Sequence, residues 1–246
     1  DACLNAIWEM GRRTLAANME DAYDDCVDRE RGMYVLDVLI QYHVNLATFG
    51  DQALMKRCMK LYSQSNHPTG MIRAVYPNTG DYILPNFGLH AIEGFYAYYL
   101  NTGDREFIRE IWDSLMLNLR RFQRLSDRRD DLLMNGDPPA EHADDADPAG
   151  SLTGFSGAGG NSDNFGVNCL YSCFYLLVLK QARKLAEVIG RKEEAREMQK
   201  RIDILTRTIP ETFWNAEKGC FKDSLSSERY TVHTNLYAIY RPYEPL

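Results

Sequence analysis

An all-α fold, a toroid of helical hairpins, is predicted by three observations. Apolar residues recur at helical spacing along nearly the whole chain, strand-like alternation is scarce, and tight and long links between helical stretches alternate strictly. In a series of antiparallel helices every second link falls at the same end, so all four long links are expected on one face. A simple four-helix bundle gives no reason for one elaborated end.

The first helix is carried by Leu4, Ile7, Trp8 and Leu15, the second by Leu36, Leu39, Ile40 and Leu46, and the third by Leu54, Cys58 and Leu61. Leu89, Ile92 and Phe95 mark the fourth, and Phe107, Ile108, Ile111 and Trp112 the fifth. Later helices are read at 169–189, 191–214 and 232–240, making about eight. Three joints share one design, an apolar helix end, a glycine and a polar residue: Phe49-Gly50-Asp51, Thr102-Gly103-Asp104 and Ile189-Gly190-Arg191. Glycine suits the left-handed position after a helix, and aspartate can cap the next helix in the first two. The long links fall at about 21–31, 64–85, 126–163 and 216–230, and a site is expected on the face they share.

With 246 residues and 45% hydrophobic content the chain can bury one large core, and a single helical domain over 1–246 is expected. A net charge of -7, a pI near 5.3 and the lack of a long Lys/Arg cluster argue against nucleic acid as partner. A neutral or weakly charged substrate fits better. No span approaches the roughly 18 consecutive apolar residues of a transmembrane helix, so no membrane partner is expected. The first residues, Asp1-Ala2-Cys3-Leu4, begin inside a helical pattern without Met or a secretory signal, so an upstream portion is expected. Periplasm and cytoplasm both stay open.

Six scattered cysteines are too few for a disulfide scaffold, and most are expected to be buried thiols. Cys169 and Cys173 share a helical face in an apolar stretch with no histidine nearby, which reads as core and not as a metal site. The third long link runs from Asp127 through Asp137-Pro138-Pro139 and Asp144-Asp145-Ala146-Asp147-Pro148 to glycine-rich 157–160 and reads as loop. Its aspartates lack the spacing and closing glutamate of an EF-hand, and a substrate-covering lid suits it better. No metal and no cofactor is assigned.

The densest polar cluster lies between 25 and 37, with Asp25, Asp28, Glu30 and Asp37 around Arg29 and Arg31. It opens directly into Met33-Tyr34-Val35-Leu36, so some of these charges are expected at the rim of a core, where carboxylates can transfer protons. A capping loop ion-paired to solvent is the competing reading of the spacing alone. His43 and His90 fall within helices and are expected to be core or interface residues. His233 opens a helix after a long loop and can face a cleft, which makes it a candidate substrate contact. The chain has no Gly-rich phosphate loop, no Gly-x-Ser-x-Gly elbow and no His-Glu-x-x-His pair.

Asp25, Cys26, Arg29, Glu30, Arg31, Tyr34 and Asp37, in this order and spacing, resemble the signature of the bacterial α-L-rhamnosidases of glycoside hydrolase family 78. Similarity continues through Ile83-Leu84-Pro85-Asn86-Phe87-Gly88-Leu89, through Tyr98-Tyr99-Leu100-Asn101-Thr102-Gly103-Asp104, and through Phe213-Trp214, Gly219-Cys220-Phe221-Lys222-Asp223 and 230–238. Each segment is weak; their order over most of the chain carries the resemblance. It implies an (α/α)6 barrel with about eight of twelve helices present, the other four beyond Leu246, and an apolar edge left open. It implies inverting hydrolysis of terminal α-L-rhamnosides, with Glu30 as general acid. Asp25, Arg29 and Asp37 would contact sugar hydroxyls, and Tyr34 would pack on an apolar sugar face.

The glutamate that serves such enzymes as general base is expected downstream of this chain, which therefore holds half of a catalytic pair and is expected to be nearly inactive alone. Arg29 and Arg31 oppose the acid role, since an acid must keep its proton near neutral pH, whereas Asp25, Asp37 and partial burial act the other way. The sequence departs from the signature at Val27 (usually proline), Tyr34 (usually tryptophan) and Leu36 (usually glycine), and the Asp-Trp expected near the third long link is absent. A non-catalytic carbohydrate-binding protein on the same scaffold is therefore the alternative. A helical-repeat interaction scaffold is a third reading, although it has no need to gather carboxylates and arginines in one loop.

Overall fold

The computed structural model of the chain describes residues 1–80, 83–126, 134–135, 166–225 and 228–240. Eight α-helices occur among them: α1 (Ala2–Asn18), α2 (Val35–Thr48), α3 (Ala53–Ser63), α4 (Pro85–Thr102), α5 (Arg105–Ser126), α6 (Cys169–Val188), α7 (Lys192–Phe213) and α8 (Val232–Tyr240). Strands are confined to two short antiparallel ribbons. One pairs β1 (Met134–Asn135) with β2 (Gly166–Val167), and the other pairs β3 (Trp214–Asn215) with β4 (Cys220–Phe221).

The helices are of two kinds, and composition explains which is which. In α6 the run from Cys169 to Leu179 is buried without a break, and α4 is buried on most of its circumference. By contrast α5 and α7 bury one stripe each, Phe107, Ile111, Trp112 and Leu115 in α5 and Met198, Ile202, Leu205 and Ile209 in α7. A helix apolar all round must lie inside, and a one-sided helix must cover something. Accordingly α2, α4, α6 and α8 form an inner row, each packed on the next, while α1, α3, α5 and α7 lie against it. This is the incomplete α/α toroid expected of the sequence.

Each inner helix begins at a long link, and α2, α4 and α6 end at short ones, so the four inner N-termini lie at one face. The long links also touch. A bridge between Tyr34 and Val75, with Val35 N–H donating to Ala74 O at 3.0 Å, joins the first to the second. A bridge between Asn168 and Ser224 joins the third to the fourth. The short joints hold as expected: Gly50, Gly103 and Gly190 have φ of 70°, 66° and 85°, a left-handed turn that a side chain would strain. Asp51 Oδ2 accepts from Leu54 N–H at 2.9 Å and Asp104 Oδ1 from Phe107 N–H at 3.0 Å, the two caps the sequence predicts.

The apolar edge also appears. Ile40 and Val44 of α2 are exposed, as are Val232, Leu236 and Ile239 of α8 at the other end of the inner row. On α1 the stripe that marks it as a helix is largely open: Leu4, Ile7 and Trp8 are exposed and Leu15 is buried. Of the six cysteines, all free thiols, Cys58, Cys169 and Cys173 are buried, so burial holds for three and not for most. Cys26 and Cys220 are half-buried and Cys3 is exposed. The segments expected to form a lid, 127–133 and 136–165, lie outside the described residues. No described helix is long and apolar enough to cross a membrane, and no group of three His, Cys, Asp or Glu among the described residues could hold a metal ion.

Candidate active site

The first long link, residues 19–34, is fixed at its two ends by apolar side chains. Tyr23 is fully buried and its hydroxyl accepts from Asn45 Nδ2 at 2.8 Å; Met33 is buried and its carbonyl accepts from the Tyr62 hydroxyl at 2.7 Å. Between these anchors the polar residues cannot enter the core and form an arch. The arch is closed by two bonds between its feet, Asp25 N–H to Gly32 O at 2.9 Å and Gly32 N–H to Asp25 Oδ1 at 2.8 Å. Gly32 is required there, because a Cβ would lie 2.8 Å from Cε2 of Tyr34. Arg31 reverses the chain with φ of 48°, unusual for a residue with a side chain.

Asp25, Glu30 and Asp37 are brought together. Burial pushes the Asp25 carboxyl up, but the Gly32 N–H that donates to it, with Cys26 and Glu30 beside it, outweighs burial and holds Asp25 below the usual carboxylate range. Asp37, in the first turn of α2, is raised, first by burial and then by the neighbouring charges of Asp25 and Glu30; its own N–H only partly offsets them. Asp25 and Asp37 share the wall of a cavity of about 510 Å³ between α1 and α2, which continues between Ile7, Met10, Ile40 and Val44. Glu30 is exposed on the arch beside Asp25 and is not part of that wall.

The two arginines behave differently. Arg31 turns away and pairs with Glu20 at 2.8 Å, so it is a partner of neither Glu30 nor Asp37. Arg29 pairs with Glu30 at 3.3 Å, but its side chain is 87% exposed and water screens the pair. Asp37 makes no ion pair among the described residues, and the two arginines pair with Glu30 and Glu20 instead.

Tyr34 is half-buried at the start of α2 with its ring edge-on to Phe87, centroids 6.4 Å apart. From Phe87 the aromatic row continues to His90 at 6.5 Å, Phe174 at 4.6 Å and Tyr237 at 5.4 Å, touching all four inner helices. His90 is buried and its Nδ1 lies 2.9 Å from Glu93 Oε2, a core histidine as expected. His43 is exposed on α2, so of the two expected places it does not occupy the core. His233 is exposed in the first turn of α8, at the long-link face, with no described contact to the carboxylates. Phe87 and Cys26 are part of the site's construction and carry no assigned role in the sequence. Phe87 lies in a similar segment without polar chemistry to mark it, and Cys26 is a member of the signature to which no role attaches.

Residues 1–241 match the bacterial alpha-L-rhamnosidase 6 hairpin glycosidase domain family. Among solved structures, the glycoside hydrolase family 78 rhamnosidase of Bacillus sp. GL1 superposes with a TM-score of 0.83 at 26% identity, over 98% of this chain and 24% of that one. A rhamnosidase from Klebsiella oxytoca with rhamnose bound gives 0.70 at 16% identity, over 95% and 44%. The alpha-L-rhamnosidase from Dictyoglumus thermophilum gives 0.60 at 12%, over 83% and 23%. The chain thus spans less than half the length of each of these proteins. No curated protein matches it.

Proposed function

The chain belongs to the bacterial α-L-rhamnosidase six-hairpin glycosidase domain family, and on that premise we propose that it is the acid-bearing part of a glycoside hydrolase that cleaves terminal α-L-rhamnosides with inversion. The observation that carries this is the arch closed by the Asp25–Gly32 bonds, which sets Glu30 beside Asp25 at the rim of a cavity whose wall holds Asp25 and Asp37. One carboxyl that can protonate a leaving oxygen, beside others that can hold the sugar, is what glycoside hydrolysis asks of this end of the site. Glu30 acts as the acid. Asp25, Asp37 and the exposed Arg29 take the sugar hydroxyls, Tyr34 packs on an apolar sugar face with Phe87 behind it, and His233 approaches from α8. The N-termini of the inner helices at this face favour the negative charges gathered there.

Inversion needs a second carboxylate, about 6.5–9.5 Å from the first, to activate water. This reading places it on further chain that closes the ring, with additional hairpins lying on the exposed edges of α2 and α8. The partner of this chain is then the rest of its own polypeptide, and the substrate a rhamnose-containing glycoside.

The test is Glu30→Gln in the longer polypeptide, read with an alkyl rhamnoside. The expected loss in kcat is about 10²–10⁴-fold with rhamnose affinity little changed. A parent protein that binds rhamnose and turns nothing over would instead support a carbohydrate-binding protein on the same scaffold.

A further inference from the structure

Within the arch, Cys26 follows Asp25 directly and reaches across to Glu30. Its Sγ accepts the Glu30 N–H at 3.3 Å. It is half-buried, unlike the core thiols Cys58, Cys169 and Cys173. Residues 26–30 have no helix or strand to fix them, and Arg31 next in line is held in a left-handed conformation that a side chain disfavours. The feet of the arch are tied by the Asp25–Gly32 bonds, whereas its crown, where Glu30 sits, is tied to them through the sulfur.

We propose that Cys26 is a positioning residue: its sulfur straps the backbone of Glu30 to the foot of the arch next to Asp25, so that the acid is aimed at the leaving-group oxygen. This rests on Glu30 being the acid. A thiol suits the task because its sulfur accepts the Glu30 N–H and its long Cβ–Sγ bond reaches the crown without drawing the arch in. Serine keeps an acceptor on a shorter arm. Valine fills a similar volume and has none.

Misaiming an acid harms only those reactions that need it. An alkyl rhamnoside leaves as a poor alkoxide and requires the proton; a nitrophenyl rhamnoside leaves as a stable phenolate and does not. In the longer polypeptide, Cys26→Val is expected to lower kcat/KM for the alkyl substrate by roughly ten- to a hundredfold and for the nitrophenyl substrate by less than about threefold. Cys26→Ser is expected to recover most of the alkyl rate. The nitrophenyl rate reports the amount of folded enzyme, so a general loss of structure would appear as equal losses on both substrates. Equal losses, or no loss on either, overturn the strap while leaving Glu30→Gln free to behave as an acid variant should. If Glu30→Gln itself shows no dependence on the leaving group, the acid assignment fails and the strap falls with it.

Discussion

Asp37 sits where helix geometry and burial disagree. The first turn of α2 favours a negative charge, yet the carboxyl is raised by burial and by the charges of Asp25 and Glu30, so burial and repulsion prevail. A carboxyl raised on folding holds its proton more tightly in the folded state. Its stabilisation is complete below the ordinary value of 3.8 and is lost as pH rises through the higher folded value. Asp25 has the opposite sign: its contribution is present above 3.8 and is lost as pH falls through its lowered folded value. Asp37→Asn is therefore expected to raise the thermal midpoint at about pH 7, to have little effect near pH 3, and to abolish rhamnoside turnover in the longer polypeptide. Thermal scans at the two pH values check the sign; a lower midpoint at neutral pH would contradict it. The carboxylates were legible in the sequence because their types and spacing carry the chemistry. The role of Arg31 was not, because its separation from Glu30 depends on a single dihedral that turns the guanidinium toward Glu20.

At the scale of elements, the alternation of tight and long links could be read from three glycines and two aspartates, since left-handed turns and helix caps are local and need no tertiary partner. What could not be read is how the second long link is held. Asn118 of α5 is fully buried; its Oδ1 accepts from Ile72 N–H at 3.1 Å, and its Nδ2 donates to Gly88 O at 2.7 Å. One amide thus ties the link and the start of α4 to an outer helix, from a position that looks like an ordinary polar residue in an amphipathic pattern. Through the Tyr34–Val75 bridge the same link supports the start of α2, and so Asp37. Asn118→Leu leaves the buried Ile72 N–H unpaired and removes the second donor to Gly88 O, and is expected to cost about 1–3 kcal/mol. Denaturant unfolding would show it as a lower midpoint at unchanged slope; a cost below about 0.5 kcal/mol would mean that the amide is not the tie.

For the whole molecule, the sequence conveyed a ring because every second link is long, and it conveyed an open ring because about eight helices are legible. It did not locate the opening, which depends on which faces of α1, α2 and α8 lack neighbours. The cavity between α1 and α2 places the opening beside Asp25 and Asp37, so the surface that receives further hairpins in the proposed enzyme adjoins the two carboxylates proposed to hold the sugar. Val44 tests this directly. It is 41% exposed in α2, on the cavity wall and two turns below Asp37. In a protein of residues 1–246, Val44→Glu puts a charge where water already reaches, and the unfolding free energy is expected to change by less than about 0.5 kcal/mol. In the longer polypeptide the same glutamate would be buried against the closing hairpins without a partner. The expected cost there is more than about 2 kcal/mol, with turnover lost because a displaced hairpin cannot hold its carboxylate opposite Glu30. Chemical unfolding of both proteins, with and without the substitution, gives the comparison. Equal small effects in the two would show that nothing covers this edge and would remove the closing hairpins from the α2 face.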